Sequence, residues 1–332
     1  MSGGLIPRNE KRWKRRFWRW GALCWERLRI LPSSRNVPDI SLANCRSLSS
    51  AMVEAYWELE ENPFHCGWDL RYYYPARSHE VCLARLRYLV DWRAEAGVLV
   101  GGPGVGKSTI IQLLFSKLGK SVRPRIHLAV GGLSAAQTIL LLSRRLEEVN
   151  LSWPTDVVEM LDNLQEFLHR NAEEGHHCVI VLDDADLGEE ERVWEFLRCF
   201  SNLRTSAGAA VTFIYVGQYA LVGKLAADSS WRERIATVCV LRPLGRRETH
   251  QYVATRLAAA RSKRPIFTST ALDRIYELSE GIPARINRLC SLALVYGFAE
   301  GAELILPEHI EAVADELTVW EGEHREPPAL AA

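Results

Sequence analysis

The segment from Val98 to Phe115 constrains the fold more than any other part of the chain. A short apolar run, Val98–Val100, leads into a glycine-rich stretch, and a helical apolar pattern follows at once. Glycines allow a tight turn that points backbone N–H groups inward at phosphate oxygens. This strand, loop and helix order is typical of a P-loop, whose residues are Gly101, Gly102, Pro103, Gly104, Val105, Gly106, Lys107, Ser108 and Thr109.

Two side chains of this loop carry the chemistry of a nucleotide site. Lys107 supplies a positive charge for the β- and γ-phosphates, and Ser108 supplies a hydroxyl ligand for Mg²⁺. The sequence therefore predicts ATP and Mg²⁺ as cofactors.

A second motif follows the apolar run Val179–Leu182, which ends in Asp183-Asp184-Ala-Asp186. A buried strand that ends in carboxylates places them at the carboxyl edge of a parallel sheet, beside the P-loop. We expect Asp183 to hold Mg²⁺ and Asp184 to polarise the attacking water as a general base. The alternative is that either carboxylate is a solvated turn residue.

Two further positions are candidates for contact with the γ-phosphate. Gln218 follows the apolar run Val211–Val216 and is placed to report the presence of that phosphate, unless it is a plain turn residue. Arg232 and Arg234 precede the last predicted strand, and an arginine there can stabilise transition-state charge in a neighbouring subunit. We favour Arg234, with a surface charge or a pair to Glu233 as the alternative.

Short, continuously apolar runs alternate with helical patterns, as expected of a parallel sheet buried on both faces. We predict a first helix over 78–93 with Ser78 as its N-cap, and strands over Gly97–Val100, Arg125–Val130, Cys178–Leu182, Val211–Val216 and Val238–Leu241. After Pro243 only helical patterns occur, over 246–260, 270–279, 284–299 and 307–317. Gly281 is a stop signal, and Pro307 suits a first turn.

The charge of the chain is unevenly distributed. Basic and acidic residues both number 41, but residues 1–51 hold 11 basic and 3 acidic residues against 30 and 38 in residues 52–332. This balance argues against a wholly basic nucleic-acid coat protein. Aromatic and apolar residues at helical spacing among arginines predict a basic amphipathic helix in residues 1–30, suited to an anionic membrane surface or to nucleic-acid phosphates. The alternative is that translation starts at Met52.

The predicted organisation has four parts: a basic extension and linker (1–51), an α/β nucleotide-binding domain (52–244), a helical lid domain (245–320) and a flexible tail (321–332). The 8 cysteines include no Cys-x-x-Cys pair, which favours reduced, buried thiols in a cytoplasmic protein. No run approaches the ~18 apolar residues of a membrane-spanning helix, so we predict no integral membrane segment. Tyr72, Tyr73 and Tyr74 either line an adenine pocket or pack within their own segment.

From Glu54 to Ala314 the chain resembles the AAA+ ATPase domain of the general secretion pathway protein A family, the ExeA-like group. Besides the two motifs above, the resemblance is carried by Tyr56–Phe64, Tyr72–His79, Val216–Gln218, Arg234–Ile235, Pro243–Leu244 and Gly281–Cys290. It implies nucleotide held between a sheet domain and a helical lid, and assembly of identical subunits into a ring or filament. The implied function is ATP hydrolysis that acts on a protein or envelope partner in secretion, in the cytoplasm or peripherally at the inner membrane.

Three departures from that family carry expectations of their own. Asp184 stands where glutamate is usual, so hydrolysis is expected to be slow. Ala284 stands where the lid arginine is usual, which leaves the adjacent Arg285 as the candidate nucleotide contact. The family also continues into a membrane anchor and a peptidoglycan-binding region, which this chain ends without.

The same core is similar to TnsC-like and TniB-like transposition regulators, which are AAA+ ATPases that assemble on DNA. This similarity supports a second hypothesis, a DNA-associated ATP switch in which Arg261, Lys263 and Arg264 or the N-terminal arginines contact double-stranded DNA. A third hypothesis is an ATP-binding structural switch that scarcely hydrolyses ATP.

Overall fold

The computed structural model describes residues 51–65, 67, 69–147, 157–187, 204–205 and 208–322. By their internal contacts these residues form two compact units. One comprises Pro75–Leu244 with Ile282–Ala284; the other comprises the described residues up to Tyr74, Gly245–Gly281 and those from Arg285 onward. The helix and linker predicted within residues 1–50 lie outside the described residues.

The α/β unit is built on a five-stranded parallel sheet. Its strands are β1 (Ala96–Val100), β2 (Val122–Ala129), β3 (His177–Asp183), β6 (Val211–Gly217) and β7 (Ile235–Val240). They lie in the spatial order β2-β3-β6-β1-β7. Every residue of β1 and β6 is buried, as expected for central strands covered on both faces. A separate two-residue antiparallel pair joins β4 (Arg204–Thr205) to β5 (Gly208–Ala209).

Helices flank this sheet and connect its strands. They are α1 (Arg77–Asp91), α2 (Lys107–Lys117), α3 (Ala135–Glu147), α4 (Val157–Glu173), α5 (Ala220–Ala227) and α6 (Ser229–Arg234), with a 3-10 turn at Ala185–Leu187. Their apolar faces cover the sheet: Leu142, Leu168 and Trp231 belong to the same core as the strand residues Ile180 and Phe213. The predicted α/β architecture is confirmed.

All five predicted strands are present, with ends shifted by up to three residues. The N-cap predicted at Ser78 is wrong, because helix α1 begins at Arg77 after Ala76, which makes no side-chain cap. The Ser78 hydroxyl instead lies 3.3 Å from Nδ1 of His79 and 3.4 Å from the carbonyl of Arg242. The sequence around the start of the helix does not reveal the second acceptor, because Arg242 lies 164 residues further along the chain.

The helical unit contains α7 (Arg246–Ala259), α8 (Ser269–Ser279), α9 (Pro283–Glu300) and α10 (Pro307–Gly322). The Thr268 hydroxyl caps α8 by accepting from the Ala271 N–H, and Glu280 and Gly281 end it with left-handed backbone. Helix α10 begins at Pro307 as predicted, but it continues to Gly322 and so enters the stretch predicted as tail. Residues 323–332 lie outside the described part.

The leading segment (residues 51–74) packs among the helices of this unit, although the sequence placed it with the sheet. Trp57 is fully buried, donates from Nε1 to the Leu294 carbonyl at 2.9 Å and lies under the guanidinium of Arg264. A Cβ at Gly297 would come within 2.9 Å of the Trp57 ring, so the glycine makes room for the indole.

A buried arginine fixes the other end of the leading segment. Arg256 is 7 % exposed, and its guanidinium lies 4.9 Å from the Tyr72 ring centroid and 5.4 Å from that of Tyr252. It donates to the carbonyls of Pro63 at 2.6 Å and of His65 at 3.4 Å. Tyr72 is therefore a packing residue of its own segment, one of the two alternatives the sequence left open.

The described cysteines, Cys82, Cys178, Cys239 and Cys290, are free and buried, as predicted. Within the described ranges, no helix is both long and apolar enough to cross a membrane.

Candidate nucleotide-binding site

The P-loop joins the end of β1 to the start of α2. Gly104 (φ 75°) and Gly106 (φ 101°) have left-handed backbone, which a side chain would strain, and α2 begins at Lys107 directly after them. The loop is tied to the neighbouring strand, because the Gly101 N–H donates to the Gly217 carbonyl at 3.3 Å. These constraints leave the first N–H groups of α2 at the loop, which is the arrangement that binds an anion.

Lys107 lies over its own loop. Its Nζ donates to the carbonyls of Gly101 at 2.9 Å and Gly102 at 3.1 Å. Both partners are neutral, so an arriving phosphate would not have to displace a carboxylate from the ammonium group. The lysine is thus held at the loop while its charge remains uncompensated by these contacts.

Asp183 ends β3 and contacts the P-loop helix. Its Oδ2 accepts from the Ser108 hydroxyl at 3.4 Å and contacts Nε2 of His127 at 3.1 Å, and its Oδ1 accepts from the Asp184 N–H at 3.0 Å. Burial by itself would raise the pKa of this carboxyl, but the hydrogen bonds from His127 and Asp184, with the charge of Lys107, hold the pKa below its ordinary value. Asp183 is therefore an ionised acceptor next to Ser108.

This pair fits a magnesium ion by the chemistry of its donors. A hydroxyl and an ionised carboxylate are hard oxygen ligands, and Mg²⁺ is held in proteins by one or two such groups together with substrate phosphates and waters. Among the described residues no group of three or more His, Cys, Asp or Glu side chains could hold a metal alone. The donor set therefore suits an ion that arrives with a phosphate.

Asp184 is exposed, and its backbone is left-handed with φ 54°. Aspartate and asparagine tolerate this region better than residues with longer or branched side chains. The local backbone thus gives a physical reason for aspartate at this position. Its carboxylate faces solvent beside Asp183, so its role as general base stays a prediction.

Asp186, the last carboxylate of the second motif, contacts the backbone where β6 ends. The Gln218 N–H donates to Asp186 Oδ1 at 3.1 Å, and Asp186 is only 9 % exposed. A Cβ at Gly217 would lie 2.4 Å from the same Oδ1, so only glycine allows this approach. Gln218 itself is exposed, and its role as γ-phosphate sensor stays a prediction.

His79 supports the P-loop from helix α1 and was not singled out as a site residue from the sequence. The ring is 5 % exposed, and Nε2 lies 3.0 Å from the carbonyl of Val105, which makes it the donor. It also lies under Gly106, where a Cβ would come within 3.2 Å of Nε2. The only signal in the sequence was its place at the end of the Tyr72–His79 segment.

Arg234 is engaged within its own subunit. Its Nη1 lies 3.2 Å from Oε2 of Glu95, and Arg204 contacts the other oxygen of the same carboxylate. The Arg234 side chain is 22 % exposed, whereas Arg232 is on the exposed side of α6. For Arg234 to reach a phosphate in a neighbouring subunit, the pair to Glu95 would have to break. This ion pair is with Glu95, whereas the sequence offered Glu233 as the alternative partner.

The first residues of α9 belong to different units: Ala284 to the α/β unit and Arg285 to the helical unit. Ala284 donates its N–H to the Gly104 carbonyl at 3.2 Å, and a Cβ at Gly104 would come within 2.7 Å of the Ala284 Cβ. The position where an arginine is usual therefore abuts the P-loop through its backbone. Arg285 is half-exposed and pairs with Glu280 at 2.8 Å; its contact with nucleotide stays a prediction.

The basic cluster of the helical unit is partly neutralised. Arg261 pairs with Glu60 at 3.2 Å, and Arg264 lies 3.7 Å from Glu58 and donates to the Glu303 carbonyl. Two of the three side chains proposed to touch DNA phosphates thus already have partners in this chain.

Comparison with known proteins supports the AAA+ assignment. Residues 91–225 match a family model described as AAA domain. The chain is 28 % identical over 271 residues to general secretion pathway protein A of Aeromonas hydrophila, a match that covers 80 % of this chain and 49 % of the relative. The chain spans about half the length of that curated relative. The resemblance predicted from the sequence motifs is confirmed.

Solved structures share the fold at low identity. Cdc6p from Pyrobaculum aerophilum matches with a TM-score of 0.59 and 19 % identity, covering 75 % of this chain and 71 % of that one. ORC2 of Aeropyrum pernix, solved as ADPNP–ADP complexes, matches with a TM-score of 0.58 and 13 % identity, covering 80 % and 75 %. Drosophila ORC bound to DNA matches with 0.58 and 14 %, covering 96 % and 77 %. The predicted AAA+ P-loop fold is confirmed.

Proposed function

We propose that this chain binds and hydrolyses ATP with Mg²⁺ and uses nucleotide-dependent oligomerisation to act on a macromolecular partner. The observation that carries the proposal is the contact of Asp183 with Ser108 beside a P-loop whose lysine donates to two carbonyls of the loop. Backbone N–H groups that can bind phosphate, two oxygen ligands for a metal and a lysine thus lie within one loop and one strand end. This combination supports phosphoryl chemistry better than a passive glycine-rich turn.

The residues have separate roles in this proposal. The P-loop N–H groups and Lys107 bind the phosphates, and Ser108 and Asp183 would hold Mg²⁺, which neutralises charge on the phosphates when bound. Asp184 accepts the proton of the attacking water, and Gln218 responds to the γ-phosphate. Arg285 in cis, and Arg234 from a neighbouring subunit after leaving Glu95, contribute charge to the bound nucleotide.

The partner is proposed to be a protein of the secretion or envelope machinery, because the curated relative is named general secretion pathway protein A. The corresponding place of action is the cytoplasm or the cytoplasmic face of the inner membrane. The ion pairs of Arg261 and Arg264 leave less free positive charge for a nucleic acid than the sequence suggested.

The test is steady-state ATP turnover of the whole chain, with and without Mg²⁺, beside the variant Asp183→Asn. We expect Mg²⁺-dependent turnover in the wild type and its loss in the variant, because the amide oxygen lacks the charge that binds the metal. Tight ATP binding without turnover in the wild type would overturn hydrolysis and favour the structural switch.

The same assay with double-stranded DNA tests the partner. We expect turnover to be indifferent to DNA at both low and moderate salt. Stimulation by DNA that fades as salt rises would contradict the proposed partner, since such fading is the mark of phosphate contacts by basic side chains.

A further inference from the structure

A histidine on the neighbouring strand contacts the metal-binding carboxylate. His127 lies on β2, where Ala129 is the register partner of Asp183 and His127 is the partner of Val181. Because side chains alternate along a strand, residues 127 and 129 face the same side of the sheet. This register places the imidazole of His127 beside the Asp183 carboxylate, with Nε2 at 3.1 Å from Oδ2.

The direction of this hydrogen bond follows from the acceptor. The ionised Asp183 carboxylate can only accept, so Nε2 of His127 carries the hydrogen. The Asp184 N–H donates to Oδ1 at 3.0 Å. Each carboxylate oxygen thus has one donor that belongs to the sheet or its immediate end, and together they fix the plane of the carboxylate.

The third donor, the Ser108 hydroxyl, behaves differently. It lies 3.4 Å from Oδ2, which is long for an O–H···O bond. A metal ion bound by both Ser108 and Asp183 would take the place of this contact, because the hydroxyl oxygen would then turn its lone pair to the ion. The contact from His127 to the same Oδ2 comes from a different element, β2, and does not involve Ser108.

We propose that His127 is a positioning residue for the metal site: it holds Asp183 in the orientation that an ion shared with Ser108 requires. The inference rests on the proposed function, since it concerns the same Mg²⁺. Ligating carboxylates are commonly oriented by a second hydrogen-bonded residue, and loss of such a residue weakens metal binding about 10- to 100-fold. His127 itself is 29 % exposed, so its ring is not a fully buried packing element.

Three variants of His127 separate positioning from packing. In His127→Gln the amide nitrogen lies at about the place of Nε2, so a donor to Asp183 is retained. In His127→Asn the amide is one methylene shorter and falls short of the carboxylate, and His127→Ala removes the donor. His169→Gln, on the exposed side of α4, is the matched control for a histidine replaced by glutamine.

The measurement is the dissociation constant of ADP with EDTA and with saturating Mg²⁺, for each protein by calorimetric titration. The constant with EDTA divided by the constant with Mg²⁺ reports the contribution of the metal to ADP affinity. This ratio does not require turnover. We expect His127→Ala and His127→Asn to lower this ratio about tenfold relative to wild type, and His127→Gln and His169→Gln to keep it within about twofold. The constant in EDTA should be the same in all five proteins.

Two results would overturn the inference: ADP constants in His127→Ala that both equal those of the wild type, or an equal loss of ADP affinity with and without Mg²⁺ in His127→Ala and His127→Gln. The second result would mean that the imidazole merely supports the loop. Failure of the proposed function gives a different result, because the wild type would then bind no ADP or bind it without any effect of Mg²⁺.

Discussion

Two cations of this chain, Lys107 in the α/β unit and Arg256 in the helical unit, are both held by carbonyls, yet the two sites have opposite characters. Lys107 makes two hydrogen bonds to carbonyls of its own loop and is partly exposed. Arg256 is buried, donates to Pro63 and His65 and lies against two tyrosine rings. A cation surrounded on all sides stabilises a fold, whereas one held on one side only is available to a ligand.

The largest effect should come from Lys107→Ala. We expect ATP affinity to fall about a thousandfold, because several charge-assisted contacts to phosphate are lost together. The free energy of unfolding without nucleotide should stay the same, since the lost bonds join only neighbouring residues of one loop. Nucleotide titration and urea unfolding measure the two quantities, with Lys117→Ala as control; a large loss of stability would erase the contrast with Arg256.

Arg256→Ala should show the reverse pattern. Removal of the buried guanidinium leaves the carbonyls of Pro63 and His65 without their donor, and we expect the helical unit to lose about 3 kcal/mol of unfolding free energy. The urea midpoint measures this, with the exposed Arg247→Ala as control. Stability equal to that of the control would mean that the tyrosine rings and carbonyls contribute little.

A third prediction concerns how the unfolding free energy depends on pH through the buried His177. Burial, with the nearby charge of Arg93, lowers the pKa of His177 to about 4. The unfolded chain binds this proton near pH 6.5, so the folded state is favoured above that pH and loses stability as pH falls towards 4. The loss approaches about 3 kcal/mol, because each unit of pKa difference corresponds to about 1.4 kcal/mol.

The variant His177→Gln isolates this effect, because the amide nitrogen can keep the contact that Nε2 makes with the Thr212 hydroxyl at 2.8 Å. The unfolding free energy of the wild type, measured relative to that of the variant, should fall by about 3 kcal/mol as pH falls from 7 to 4. Parallel curves over that range would show that His177 is not the group that titrates.

The smallest effect is expected from Asp184→Glu. Glutamate extends the carboxylate by one methylene towards an attacking water, so turnover should rise a few-fold if reach limits hydrolysis. The left-handed backbone at this position opposes glutamate and keeps the gain small. Steady-state turnover at saturating ATP measures it. A level or lower rate would indicate that Asp184 is already suited to its place or is not the base.

The strands and the P-loop were predictable because their signals are local. A run such as Val179–Leu182 has few alternatives to a buried strand, and the glycines before Lys107 specify the turn in the same nine residues. The contacts that arrange the site are not local. His127 meets Asp183 across 56 residues, and Arg234 meets Glu95 across 139.

Such pairs depend on strand order and register, which short patterns do not encode. The packing of the leading segment on the helices escaped prediction for the same reason, because its partners, Leu294 and Arg256, lie about 200 residues further along the chain. The N-cap predicted at Ser78 is wrong because a serine hydroxyl beside the start of a helix can bond to acceptors other than that helix. Here it lies near the Arg242 carbonyl.

The close approach of Asp186 to Gly217 sets a limit on how this protein can diverge. Every substitution at position 217 places a carbon atom on the carboxylate oxygen that accepts from Gln218. A side chain at position 217 therefore requires the Asp186 carboxylate to move or to be replaced. Descendants that replace Gly217 should therefore also show a moved or replaced Asp186, whereas Asp186 can change while Gly217 stays.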